Sequence, residues 1–115
     1  FIALATLFLQ PTDLLPNVII VDEPELGLHP AAIEQIPSMI MAALQNSQII
    51  IATQSERLLD SINDAVSDVN ILVVDYDKQH KSTVLRSLQK DEIRPWLEDY
   101  TISQVWGKNV FGGRP

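Results

Sequence analysis

The sequence predicts an α/β fold, mostly parallel, with an antiparallel edge and flanking helices. Three observations predict it. Asn17–Val21, Gln48–Thr53 and Asn70–Asp75 are β-branched apolar runs without polar alternation, as expected of strands in a parallel sheet covered on both faces. The segments between them carry apolar residues at helical spacing. A polar turn, Asp77–Lys81, leads into an alternating run, Ser82–Leu88, that suits a hairpin partner at a sheet edge.

Each element has a local reason. Phe1–Gln10 is rich in Ala and Leu and reads as a buried helix stopped by Pro11. Residues 11–16 form a short connection into the first strand. Leu28-His29-Pro30 opens the next helix, with Pro30 suited to a first-turn position. Ile33, Ile36, Ile40 and Leu44 share one face, so Pro37 is expected to kink this helix rather than end it. Ser55 is the expected N-cap of a helix carrying Leu58, Leu59 and Ile62. Asp91–Tyr100 and Thr101–Trp106 read as short helices, the second stopped by Gly107. Trp96, Tyr100 and Trp106 are expected to seal a small core, and Gly112-Gly-Arg-Pro115 to form a flexible end.

The 115 residues include 15 acidic and 8 basic side chains, a formal charge of -7. That disfavours a surface built mainly to hold nucleic-acid phosphates. Lys78, His80, Lys81, Arg86, Lys90 and Arg94 form a loosely basic stretch, read as a solvated face, with a partner or DNA contact as the second reading. Cysteine is absent, which excludes disulfides and thiolate metal sites and permits a reducing compartment. The chain begins without Met inside an apolar run, Phe1–Leu9, too short for a bilayer span and without the flanks of a signal peptide. The expectation is a piece cut from a longer protein.

In parallel sheets ligands bind outside the carboxyl ends of the strands. The three apolar runs end in Asp22-Glu23, in Thr53-Gln54-Ser55 and in Asp75 with Asp77. Polar chemistry is therefore expected at one rim. Four apolar residues followed by Asp-Glu, in Asn17-Val-Ile-Ile-Val-Asp-Glu-Pro-Glu-Leu-Gly-Leu-His-Pro30, resemble the Walker B motif of P-loop nucleotidases. A rigid strand end can fix one acid for a magnesium ion and its neighbour for a water.

The tail of that segment resembles the extended Walker B and D-loop of ABC-type ATPases, in the branch of RecF-like and overcoming-lysogenization-defect proteins. Within it the chain is most similar to AAA-family ATPases of the AAA-21 kind found in bacterial defence systems. Ile49-Ile-Ile-Ala-Thr-Gln-Ser55 is similar to the family's switch strand, and Val105-Trp-Gly-Lys-Asn-Val-Phe-Gly-Gly-Arg114 to a recurrent carboxyl-terminal ending. The resemblance implies a P-loop-type fold, of which residues 1–115 are the carboxyl-terminal lobe. It implies that Asp22 holds Mg²⁺, that Glu23 is the catalytic acid that positions water, and that Gln54 stands near the terminal phosphate of ATP. It further implies that Glu25, Leu26, Gly27, Leu28 and His29 form a D-loop crossing to a second ATPase head, most simply in a homodimer. The amino end of the Phe1–Leu9 helix would face the nucleotide of the opposite subunit. A cytoplasmic protein with a DNA or effector-protein partner and no membrane contact is the corresponding expectation.

Two departures accompany the resemblance. No G-x-x-x-x-G-K-[ST] phosphate loop and no signature motif occur in these residues, so the piece alone is expected to be inactive. Gln54 stands where the family usually has His; an amide donates a hydrogen bond but carries no proton charge. Two alternatives stay open. One is a non-catalytic interaction module that keeps the ATPase architecture. The other is a metal-dependent nuclease using Asp75 and Asp77, against the simpler reading of Asp75–Lys81 as a polar hairpin. His29, with no second ligand at helical spacing, reads as a helix-start residue rather than a metal ligand.

Overall fold

The computed structural model describes residues 1–113, apart from the side chains of residues 65–67. Arg114, the last member of the carboxyl-terminal resemblance, and Pro115 lie outside the described residues. The chain forms two compact units, Phe1–Ser61 and Ile62–Pro115.

The first unit is built on a βαβ core. Helix α1 (Ile2–Phe8) precedes strand β1 (Val18–Asp22); helices α2 (Pro30–Ile33) and α3 (Ile36–Ala43) lead to strand β2 (Gln48–Ala52), followed by helix α4 (Glu56–Ser61). β1 and β2 pair in parallel from Val18↔Gln48 to Asp22↔Ala52. Ile19 is buried with Phe8, Ile33, Ile36, Met39, Ala43 and Leu58, and Val21, Ile49 and Ile51 pack against that cluster. The alternate positions differ from expectation. Ile20 is 72% and Ile50 46% exposed, so only one face of this pair is covered. The apolar run without alternation reports a strand able to be covered twice, and here one covering layer is present.

Pro37 does more than kink. It sits in the first turn of α3, and α2 has already ended at Ile33. Proline has no N–H to offer the carbonyl four residues back and its ring crowds that carbonyl, so one helix becomes two in nearly the same phase. Ser55 caps α4 as expected, its Oγ accepting from the Leu58 N–H at 3.2 Å.

The second unit holds a short 3₁₀ segment (Asn63–Asp68), strands β3 (Leu72–Asp77) and β4 (Ser82–Ser87), and helices α5 (Lys90–Leu97) and α6 (Ile102–Gly107). β3 and β4 form their own antiparallel sheet, from Leu72↔Ser87 to Asp77↔Ser82. The α/β class with a parallel pair and an antiparallel hairpin holds, but β3 is not hydrogen-bonded to the parallel strands. Apolar composition alone cannot say which strand a run will pair with.

The unit's core is Val73, Leu88, Ile93, Ile102 and Val105, all buried. Trp96 and Tyr100 are each 38% exposed, so they edge this core instead of sealing it. Their rings lie 6.2 Å apart, and the Lys108 ammonium sits 4.9 Å from the Tyr100 centroid. Gly107 does not stop α6. Asn109, at φ 55, takes the left-handed position, with Asn109 N–H donating to the Trp106 carbonyl and Val110 N–H to the Val105 carbonyl. That is a Schellman ending, and asparagine tolerates it as glycine does. Gly112 and Gly113 are also not loose: a Cβ on Gly113 would meet Val73 Cγ1 at 2.5 Å, and its φ is +74°.

Candidate functional site at the carboxyl rim of the parallel strands

Parallel pairing sends both strand ends to the same edge. Asp22 lies opposite Ala52, and the Glu23 N–H donates to the Ala52 carbonyl at 2.8 Å, one step beyond the ladder. Thr53 and Gln54 follow directly. Asp22, Glu23 and Gln54, expected at one rim, thus flank adjacent strand ends.

Glu23 adopts φ 45. A non-glycine residue in the left-handed region is held there at a cost of about 1–3 kcal/mol by its surroundings. The holding contacts are visible. Pro24 is buried. The Leu26 N–H donates to the Glu23 carbonyl and the Leu28 N–H to the Glu25 carbonyl, both at 3.0 Å. The second turn needs φ > 0 at its third position, which Gly27 supplies at φ 74. The chain then enters α2 through His29, whose Nδ1 accepts from the Ala31 N–H at 3.2 Å. His29 is a helix cap, as its place before Pro30 implied.

Two consecutive turns leave Leu26 at the loop tip, 76% exposed, and Gly27 with open space where a Cβ would stand. Among the described residues neither the Asp22 nor the Glu23 carboxylate is hydrogen-bonded or ion-paired to another side chain. Both acids stand on an open rim. Clefts of about 240 Å³ beside Arg86 and Trp96, and of about 590 Å³ beside Glu34 and Arg57, include neither of them.

Glu25 behaves differently. Thr53 Oγ1 donates to Glu25 Oε1 at 2.5 Å and accepts from the Ser55 N–H at 3.0 Å. Among the described residues Glu25 Oε2 is buried without a hydrogen-bond partner. Sequence reasoning missed this contact. Its signal was slight: a hydroxyl residue at the end of one apolar strand and an acid just past the end of its neighbour.

Asp75 and Asp77 are occupied by their own unit. Asp75 accepts from the Tyr76 and Gly113 N–H groups, and Asp77 from those of Gln79 and His80. His80 Nδ1 lies 2.6 Å from Asp77 Oδ2. The imidazole of His80, with these N–H groups, holds the Asp77 carboxyl below its ordinary value. This is the polar hairpin of the simpler reading.

Comparison with known proteins decides the family. Residues 1–60 match the family described as "AAA domain, putative AbiEii toxin, Type IV TA system". The chain belongs to this family. The match coincides with the first compact unit, which carries the rim. The fold of the AAA domain is also found in a solved ATPase of the SMC type, whose study concerns ATP-driven dimerization and DNA-stimulated activation. That structure aligns with a TM-score of 0.52 at 17% identity, over 73% of this chain and 47% of that one. The chain therefore spans about half the length of that solved ATPase. A search of curated proteins returned no match. Among the described residues no helix is long and apolar enough to cross a membrane.

Proposed function

We propose that the chain is the carboxyl-terminal lobe of an ABC-type ATPase head that hydrolyses ATP with Mg²⁺. The observation that carries this is the rim itself: an unengaged Asp22-Glu23 pair at one strand end, with Glu23 held in a strained conformation, and Gln54 two residues past the end of the neighbouring strand. Strain at a non-glycine residue persists where the surroundings over-determine it, and such residues cluster at functional sites.

The donor set suits magnesium, a hard cation that takes one or two carboxylates and keeps several waters. Asp22, exposed at the strand end, is the ligand, directly or through water. The ion, when bound, neutralises charge on the phosphate oxygens. Glu23 accepts a hydrogen bond from the attacking water and aims it in line with the terminal phosphorus. The Gln54 amide donates to the terminal phosphate without supplying a charge. The exposed tip Glu25–His29, led by Leu26, is the contact to a second head, in a homodimer. The uncovered face carrying Ile20 and Ile50 supports the lobe reading, since the rest of a head supplies the missing layer. DNA or an effector protein is the partner class to which hydrolysis is coupled, in a cytoplasmic setting; these residues alone do not turn over ATP.

Glu23→Gln in the complete protein is the test. General-base or water-orienting acids contribute roughly 10²–10⁴-fold, so turnover is expected to fall at least about 100-fold. Turnover equal to wild type overturns the assignment.

A further inference from the structure

We propose that Thr53 is a positioning residue for Glu23 and Gln54, acting through Glu25. The inference rests on the hydrolytic reading above and adds a residue that reading does not need.

Thr53 Oγ1 uses its proton on Glu25 Oε1 and a lone pair on the Ser55 N–H. The contact spans 28 positions in sequence and joins the loop after β1 to the loop after β2. Glu25 is two residues past Glu23; Thr53 is one residue before Gln54. The hydroxyl therefore sets the separation of the two loops that present the proposed catalytic side chains. The Ser55 bond closes over Gln54 and fixes its backbone from the other side.

The Glu25 carboxylate depends on this bond. With Oε2 buried and unpartnered, the Thr53 hydroxyl is the one side-chain donor to Glu25 among the described residues. A charge-assisted bond is stronger than a neutral one. Losing it leaves a partly buried carboxylate without a donor, the costly outcome, and the carboxylate then turns toward water. That movement pulls on the turns closed by the Leu26 and Leu28 N–H groups, and through them on the left-handed Glu23.

The test uses the complete protein with Thr53→Val, Thr53→Ser and Glu23→Gln in one assay. Hydrogen bonds to charged groups are worth enough to change a rate about tenfold or more. Thr53→Val is expected to lower kcat about tenfold, with KM for ATP within about twofold, and Thr53→Ser to recover most of the loss. Amide exchange at Leu26 and Leu28 should speed up in the valine variant and return in the serine one. Adding Glu25→Ala to Thr53→Val should cost little more than either alone, because both break one contact. If valine prevents folding, Thr53→Ala replaces it in the same comparison. An inactive Glu23→Gln beside a Thr53→Val of wild-type kcat overturns the positioning role and leaves the hydrolytic reading intact. A serine variant as impaired as valine also overturns it. A fully active Glu23→Gln removes both.

Discussion

The acids at the rim of the first unit and those of the second unit are used in opposite ways. In the unit of residues 62–113, acids hold structure together. Glu92 accepts from Arg86, whose other nitrogen donates to the Phe111 carbonyl at 2.7 Å, and Glu92 also closes the capping box of α5. Asp75 and Asp77 accept backbone N–H groups and the ring of His80. In the unit of residues 1–61, Glu25 and Glu34 bind Thr53 and Arg57, but among the described residues the Asp22 and Glu23 carboxylates engage no side chain, and Glu23 carries backbone strain. An acid satisfied by its own fold is poorly placed to meet a cation or a water; an unsatisfied one held rigidly is well placed. This difference, more than motif spelling, separates the rim from the Asp-x-Asp hairpin as a site.

Glu23→Gly should cost at least about 100-fold in turnover. Its thermal stability should not fall, because glycine accepts φ 45 without strain. A large loss of stability would mean that Glu23 is structural after all.

Next comes a change in the other unit. Gly113→Ala places a methyl 2.5 Å from Val73 Cγ1 at a left-handed φ. It should destabilise that unit by about 1–3 kcal/mol, read by denaturant unfolding. An unchanged midpoint would mean that the Gly112-Gly113 segment does not seat there.

Glu92→Ala should cost the second unit about 1 kcal/mol, mostly from the lost cap, since exposed ion pairs contribute little. Urea titration checks it, and a loss of ATP turnover without a loss of stability would blur the division between the units.

The smallest effect is in acid. The Asp77 carboxyl is held below its ordinary value of 3.8 in the fold, so its contribution is fully present above that value and fades as pH falls through the lowered one. Asp77→Asn should therefore flatten the acid limb of hairpin stability, followed by amide chemical shifts of Gln79 and His80. An unaltered acid limb would show that this pair does not anchor the turn.

Much of this was readable in the residues. Asn17–Val21 and Gln48–Thr53 announce parallel strands, though not that one face would stay open, and the acids after the first had to sit at a carboxyl end. Proline and cap chemistry located helix starts at Pro30 and Ser55. The detachment of β3 from the parallel pair was not legible, because pairing partners depend on contacts far apart in sequence. Nor was the break at Pro37: apolar phase persists across a gap of two residues, so periodicity alone cannot see it. The Glu25–Thr53 contact was hidden for the same reason as β3, being a tertiary bond between residues that are each ordinary where they stand.

Binding and turnover separate at Glu23. In the complete protein, Glu23→Gln should retain Mg²⁺-dependent ATP binding, accumulate a dimer with uncleaved ATP, and show no single-turnover release of phosphate. Phosphate release at the wild-type rate from that bound nucleotide would contradict the account.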